Sequence, residues 1–227
     1  MSGMRASNVA LAGVLFCAAS LFADANPQFV PAPPGDAVDS KVAYLSGDGN
    51  QAQWKAVISK KLLGSSDGRD FYQWYLSIYA LRRGAYRLRY QSPGNGGPLS
   101  VVTRTHGTTM WFPTQDIDFS GVGSLMQPSV QNLVVQSNEA AADCGGATVT
   151  VFAGGPGGSV APAVTITNFC DLGATVQHTS SGDVLRLDGP YYAPNAPLCC
   201  PTKPEATATL RYRGGKWIES PKYFNVK

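Results

Sequence analysis

Charge is scarce in this chain, and histidine scarcer still. Asp, Glu, Lys and Arg make up 15% of the 227 residues, the formal net charge is +3, and there are two histidines. So small a surplus, grouped in nothing longer than pairs such as Arg82-Arg83 and Arg211/Arg213, forms no basic stripe for nucleic acid or an anionic membrane. Solvated strand faces account for both groups. Neither His106 nor His178 stands at ligand spacing from a cysteine pair, which argues against a structural zinc site. A phosphate loop is missing too. Gly154-Gly-Pro-Gly-Gly158 has no Gly-Lys-Ser/Thr ending, and Pro156 removes a backbone donor where a phosphate would need one. No long helical period occurs, and no apolar run reaches the roughly 20 residues that cross a bilayer as a helix.

What the chain has in plenty is turn chemistry, with 25 glycines and 16 prolines. Between the turns lie short alternating or β-branched runs: Trp74 to Tyr79, Tyr86 to Tyr90, Leu99 to His106, Thr108 to Phe112, Leu133 to Gln136, Ala147 to Phe152, Val164 to Cys170, Val184 to Leu187, Thr207 to Tyr212 and Lys216 to Glu219. Gly214-Gly215 between the last two is a two-residue hairpin signal. Gln51 to Leu63 fits a helix face or a strand, and the strand reading is preferred because a clear strand follows. The pattern predicts an all-β fold, an antiparallel sandwich or open barrel.

The first residues read as a leader. Arg5 gives a positive start, Val9 to Phe22 form the apolar stretch, and Ala23-Asp24-Ala25 offers a cleavage site before Asn26. Residues 1–25 are thus expected to be a signal peptide and the protein to be secreted or periplasmic. Cys17 would have to be the lipidated residue of a lipoprotein. Phe16, however, stands where a small residue belongs, so the expectation is cleavage without an anchor. Residues 26–40, with Pro27, Pro31, Pro33 and Pro34, read as an extended leader. Beyond it, a β-rich part over 41–136 and a second over 137–227 are expected, as one domain or two.

Four cysteines follow the leader: Cys144, Cys170, Cys199 and Cys200. An even count in an exported chain implies two disulfides stapling the C-terminal part. Neighbours on an extended strand point to opposite faces, so Cys199 and Cys200 are expected to reach back separately to Cys144 and Cys170. A strained vicinal bridge is the alternative.

Few groupings carry chemistry. Gly64-Ser65-Ser66-Asp67-Gly68 matches Gly-x-Ser-x-Gly in letters, but a β-run follows where a nucleophile elbow needs a helix; it reads as a turn. Asp116-Ile-Asp118-Phe-Ser120-Gly121 copies the opening of a calcium loop. Gln127 stands at its twelfth position, where a bidentate carboxylate belongs, so a solvated strand corner is the preferred reading and calcium the lesser one. Tyr191 and Tyr192, framed by Pro190 and Pro194, are candidate ligand-binding aromatics for a cell-wall glycan or another envelope protein. Packing over the disulfides is the plainer alternative. A hydrolase would have to assemble its site in three dimensions from Asp116, Asp118, Glu139, Asp143, His106 and His178.

Leu198-Cys-Cys-Pro-Thr202, with Ala208 to Arg213 and Gly215-Lys-Trp217, resembles the end of the LppP/LprE-type exported cell-envelope proteins of actinobacteria, in which a Cys-Cys-Pro-Ser element precedes a basic-aromatic hairpin. Gly146 to Val151 would match an earlier strand. The chain departs in Thr202 and in Phe16 before Cys17. The resemblance spans at most residues 140–220 and implies an envelope location without catalytic residues. The function expected is therefore that of an exported, non-catalytic structural or ligand-binding β-domain, with a secreted hydrolase as the alternative.

Overall fold

A computed structural model describes residues 27–45, 53–66, 69–92, 101–105, 108–112, 114–139, 146–195 and 201–227. It is nearly all strand. The first sheet joins β1 (Gln28–Val30), β2 (Asp36–Ala43), β3 (Trp54–Ser66), β4 (Arg69–Arg82) and β5 (Ala85–Gln91) in the order β1-β5-β4-β3-β2. After a separate hairpin, β6 (Val101–Thr105) with β7 (Thr108–Phe112), comes the middle sheet. Its strands are β8 (Thr114–Gln127), β9 (Val130–Glu139), β10 (Ala147–Gly154) and β11 (Val160–Asn168). The third sheet runs in sequence through β12 (Gly173–Thr179), β13 (Gly182–Tyr191), β14 (Lys203–Arg213) and β15 (Lys216–Ser220). The chain then returns to the middle sheet as β16 (Asn225–Val226), giving the order β16-β11-β10-β9-β8. Pairing is antiparallel except for β1, which runs parallel to β5. No sheet closes on itself.

The expected sandwich or open barrel thus becomes three stacked layers. Leu133 and Val135 of β9 enter a core with Trp54, Ile58, Leu76 and Ile78 of the first sheet. Val134, between them, points the other way, into a core with Leu185, Leu187 and Leu210 of the third. Successive strand residues face opposite sides, so a sheet buried on both faces needs an unbroken apolar run, and Leu133-Val134-Val135 supplies one. The expected division between residues 136 and 137 falls inside β9, which pairs with β8 on one side and β10 on the other.

Other segments differ from expectation or refine it. The stretch read as an extended leader supplies both edges of the first sheet, β1 and β2. Proline suits edge strands, where a missing N–H leaves no ladder bond unmade. Phe29 anchors β1 by stacking on Tyr86 with ring centroids 5.2 Å apart and meeting Tyr79 edge-on at 4.8 Å. The ambiguous Gln51–Leu63 stretch is strand from Trp54 onward. Gly214 and Gly215 turn with φ of 56° and 80°, the pair of positive values that a tight hairpin between β14 and β15 requires.

Candidate ligand pocket between two sheets

On the face of the middle sheet that looks toward the first, the side chains grade along each strand. β9 passes from Leu133 through Val135 to Ser137, and β10 from Phe152 through Thr150 to Thr148. The register aligns the gradients, with Leu133 opposite Phe152, Val135 opposite Thr150 and Ser137 opposite Thr148. β11 continues the rows, Thr165 lying opposite Thr150 and Pro162 opposite Phe152. The apolar end is sealed beneath the first sheet, and the hydroxyl end borders a cavity of about 120 Å³. Leu76, Tyr90 and Ser92 close it from the first sheet, and Ile117 of β8 adds to the apolar wall.

The first-sheet side is braced. Ser92 extends the β4–β5 ladder: its N–H donates to the Leu76 carbonyl at 2.8 Å, and its Oγ accepts the Leu76 N–H at 2.9 Å. Tyr90 packs against Phe152 with centroids 4.9 Å apart. Burial pushes the Tyr90 phenol above its ordinary pKa, so it stays a neutral donor. Among the described residues, no charged side chain lines the pocket. The side-chain hydroxyls of Ser137, Thr148, Thr150 and Thr165 make no hydrogen bond to described residues and remain free to meet a ligand or water.

The residues singled out by sequence lie elsewhere. Tyr191 packs on the core between the middle and third sheets and against Tyr223, with centroids 5.0 Å apart. Tyr192 meets Phe169 edge-on at 5.7 Å and lies 3.0 Å from Cys170 Sγ. Cys170 is disulfide-bonded, leaving the Tyr192 hydroxyl as the donor. Cys144, Cys199 and Cys200 lie outside the described residues, so no S–S bond joins two described residues.

Asp116, Asp118 and Ser120 stand along β8, not around a loop. An extended strand does not wrap an ion in the six to eight oxygens that calcium takes. Asp116 instead accepts from the Asn138 amide at 2.7 Å. Among the described residues, no three His, Cys, Asp or Glu gather to hold a metal.

Of the hydrolase candidates, His106 and Asp143 lie outside the described residues, and Glu139 ends β9. His178 Nδ1 sits 2.7 Å from Asp183 Oδ1, while the other oxygen of Asp183 accepts the Ser124 N–H at 2.6 Å. This is a histidine–carboxylate pair with no serine hydroxyl bonded to the imidazole among the described residues, and the His178 side chain is 73% exposed. It clasps the β12–β13 hairpin to β8. Gly64 to Ser66 are strand, and Ser65 Oγ donates to Asp70, as a hairpin arm does.

Reading by motif passed over the pocket because its hydroxyl-bearing residues belong to no catalytic or metal-binding motif. The available signal was the alternation Thr148-Val-Thr150-Val151 and Thr165-Ile-Thr167. Each run is hydroxylic on one face and apolar on the other, in two strands that pair. No family model, curated protein or solved structure matches the chain.

Proposed function

We propose that this is an exported, non-catalytic β-domain that binds a small molecule between its first and middle sheets. The observation that carries the reading is the pocket itself, where unpaired hydroxyls face an apolar wall in a cavity to which the described residues bring no charge. Pockets of this make-up, mostly apolar with a few convergent polar groups, are where ligands bind. Export rests on the leader-like first 25 residues and on the resemblance of the Cys199-Cys200 segment to envelope proteins. A cell-wall glycan or a second envelope protein would be met elsewhere on the surface, since the two tyrosines first assigned to that role are used in packing. A secreted hydrolase is the weaker alternative, because the His178–Asp183 pair lacks a nucleophile among the described residues.

The stapling belongs to the same proposal. Ala193 N–H donates to Thr202 Oγ1 at 3.0 Å, which holds the chain on either side of Cys199-Cys200 beside Tyr192 and Cys170. Ala147 pairs with Asn168, bringing the chain after Cys144 to the same end. Cys170 then joins one of Cys199 and Cys200, and Cys144 the other.

The test is to express the full chain in a bacterium and recover it from the envelope and medium. The mature N-terminus is expected at Asn26, with nonreducing peptide maps linking both Cys144 and Cys170 to the Cys199-Cys200 peptide. Retention in the cytoplasm with four free thiols would overturn the export reading.

A further inference from the structure

We infer that the pocket selects an uncharged aliphatic group of about five carbons bearing a single oxygen function, such as an alcohol. This rests on the binding role just proposed and adds the chemical class of the ligand. Size sets the first limit. A cavity of about 150 Å³ lined by aliphatic and aromatic side chains accepts benzene, so about 120 Å³ accommodates roughly six non-hydrogen atoms.

Charge sets the second limit. Among the described residues the lining offers no Lys, Arg, Asp, Glu or His, and burying an ion without a counter-charge or a full set of hydrogen bonds is prohibitive. Carboxylates and amines are therefore rejected.

The hydroxyl rows set the third. Thr150 and Thr165 stand opposite each other on β10 and β11, and Ser137 stands opposite Thr148 on β9 and β10. Neighbouring strands are about 4.8 Å apart, so each pair presents two hydroxyls flanking a gap that one oxygen atom can bridge. A hydroxyl both donates and accepts, so the rows take an alcohol or a carbonyl equally. A pure hydrocarbon would displace the water that solvates these hydroxyls and leave them unpaired, which weakens its binding. Leu76 across the gap, and Ile117 and Phe152 at the apolar end of the middle sheet, are nearly fully buried and receive the alkyl part.

The experiment titrates exported protein, labelled at Ile, Leu and Val methyl groups, with 1-pentanol, pentane, pentanoate and pentylammonium. Pentanol is expected to shift the Leu76, Ile117 and Val135 signals and to bind more tightly than the other three. Thr150→Val keeps the side-chain shape and removes one hydroxyl. It is expected to weaken pentanol roughly three- to tenfold, with pentane affinity raised rather than lowered and the melting temperature nearly unchanged. Pentane binding as tightly as pentanol, or either ion binding more tightly, would overturn the ligand class and leave the binding role standing. If none of the four moves these methyl signals, the binding role falls with it.

Discussion

The buried Asn132 side chain donates to the Phe152 carbonyl at 3.3 Å and so ties β9 to β10 independently of the backbone ladder. Its Oδ1 accepts the N–H groups of Leu125 and Met126, both at 3.2 Å. Those two residues lie where β8 loses register with β9, between Gly123 and Gln127, and have no ladder partner of their own. Asn132→Leu fills a similar volume but orphans three backbone groups. Each such loss costs roughly 1 kcal/mol or more, so urea denaturation should show a loss of about 3 kcal/mol. A loss below about 1 kcal/mol would contradict this account of β8.

Gly154 lies where the chain just after β2 presses on the middle sheet. A Cβ there would lie 1.9 Å from the Leu45 carbonyl oxygen, a backbone atom that cannot swing aside. Gly154→Ala is expected to destabilise by about 2 kcal/mol or more through forced backbone displacement. At Gly64 nothing lies within 4 Å of the same atom, so Gly64→Ala should leave the denaturation midpoint close to that of the parent. Equal midpoints for the two variants would refute the close contact.

Two carboxylates respond to pH with opposite sign. Burial, then Asp116 and Asp39, raise the Asp118 carboxyl above its ordinary value. Its contribution to stability is therefore present at low pH and lost as pH rises through the folded-state pKa. Asp118→Asn should raise the melting temperature at pH 7 and change nothing below about pH 3. Asp188 is held low by hydrogen bonds, first from Arg186 and then from Thr207, so its contribution is present at neutral pH and lost as pH falls through the folded-state pKa. Asp188→Asn should lower the melting temperature at pH 7 and leave it unchanged near pH 2. Both side chains are partly exposed, so screening keeps each effect small. Melting curves of the two variants across this range give the signs directly.

Tyr191 and Tyr192 behave as packing residues in this structure. Changing both to alanine should cost about 2 kcal/mol, which in a chain of this size lowers the melting temperature by roughly 4–8 °C. Pentanol binding should be unaffected, because neither ring lines the pocket. An unchanged melting temperature would show that the rings stand free.

How much of this was legible in the chain depends on the range of the forces involved. Alternation and turn chemistry are local, which is why β5, β10, β14 and the Gly214-Gly215 turn could be read directly. Layering is not local. Leu133-Val134-Val135 reads as a short buried strand whichever sheets cover it, so three layers could not be told from two. The proline-rich stretch before β2 looked like a tether because the residues that receive it, Tyr79 and Tyr86, lie about fifty positions away. The pocket needed both kinds of information at once. Thr148, Thr150 and Thr165 are ordinary strand residues until the register sets them side by side and the first sheet half covers them.

The central claim is that the gap between the first and middle sheets is a ligand site, and a crystal of the exported protein soaked in 1-pentanol tests it most directly. The account predicts a single ordered molecule with its chain against Leu76, Ile117 and Phe152. Its oxygen should lie within hydrogen-bonding distance of the Thr150 and Thr165 hydroxyls. A gap filled by repacked side chains, or one holding only water under the same soak, would contradict it.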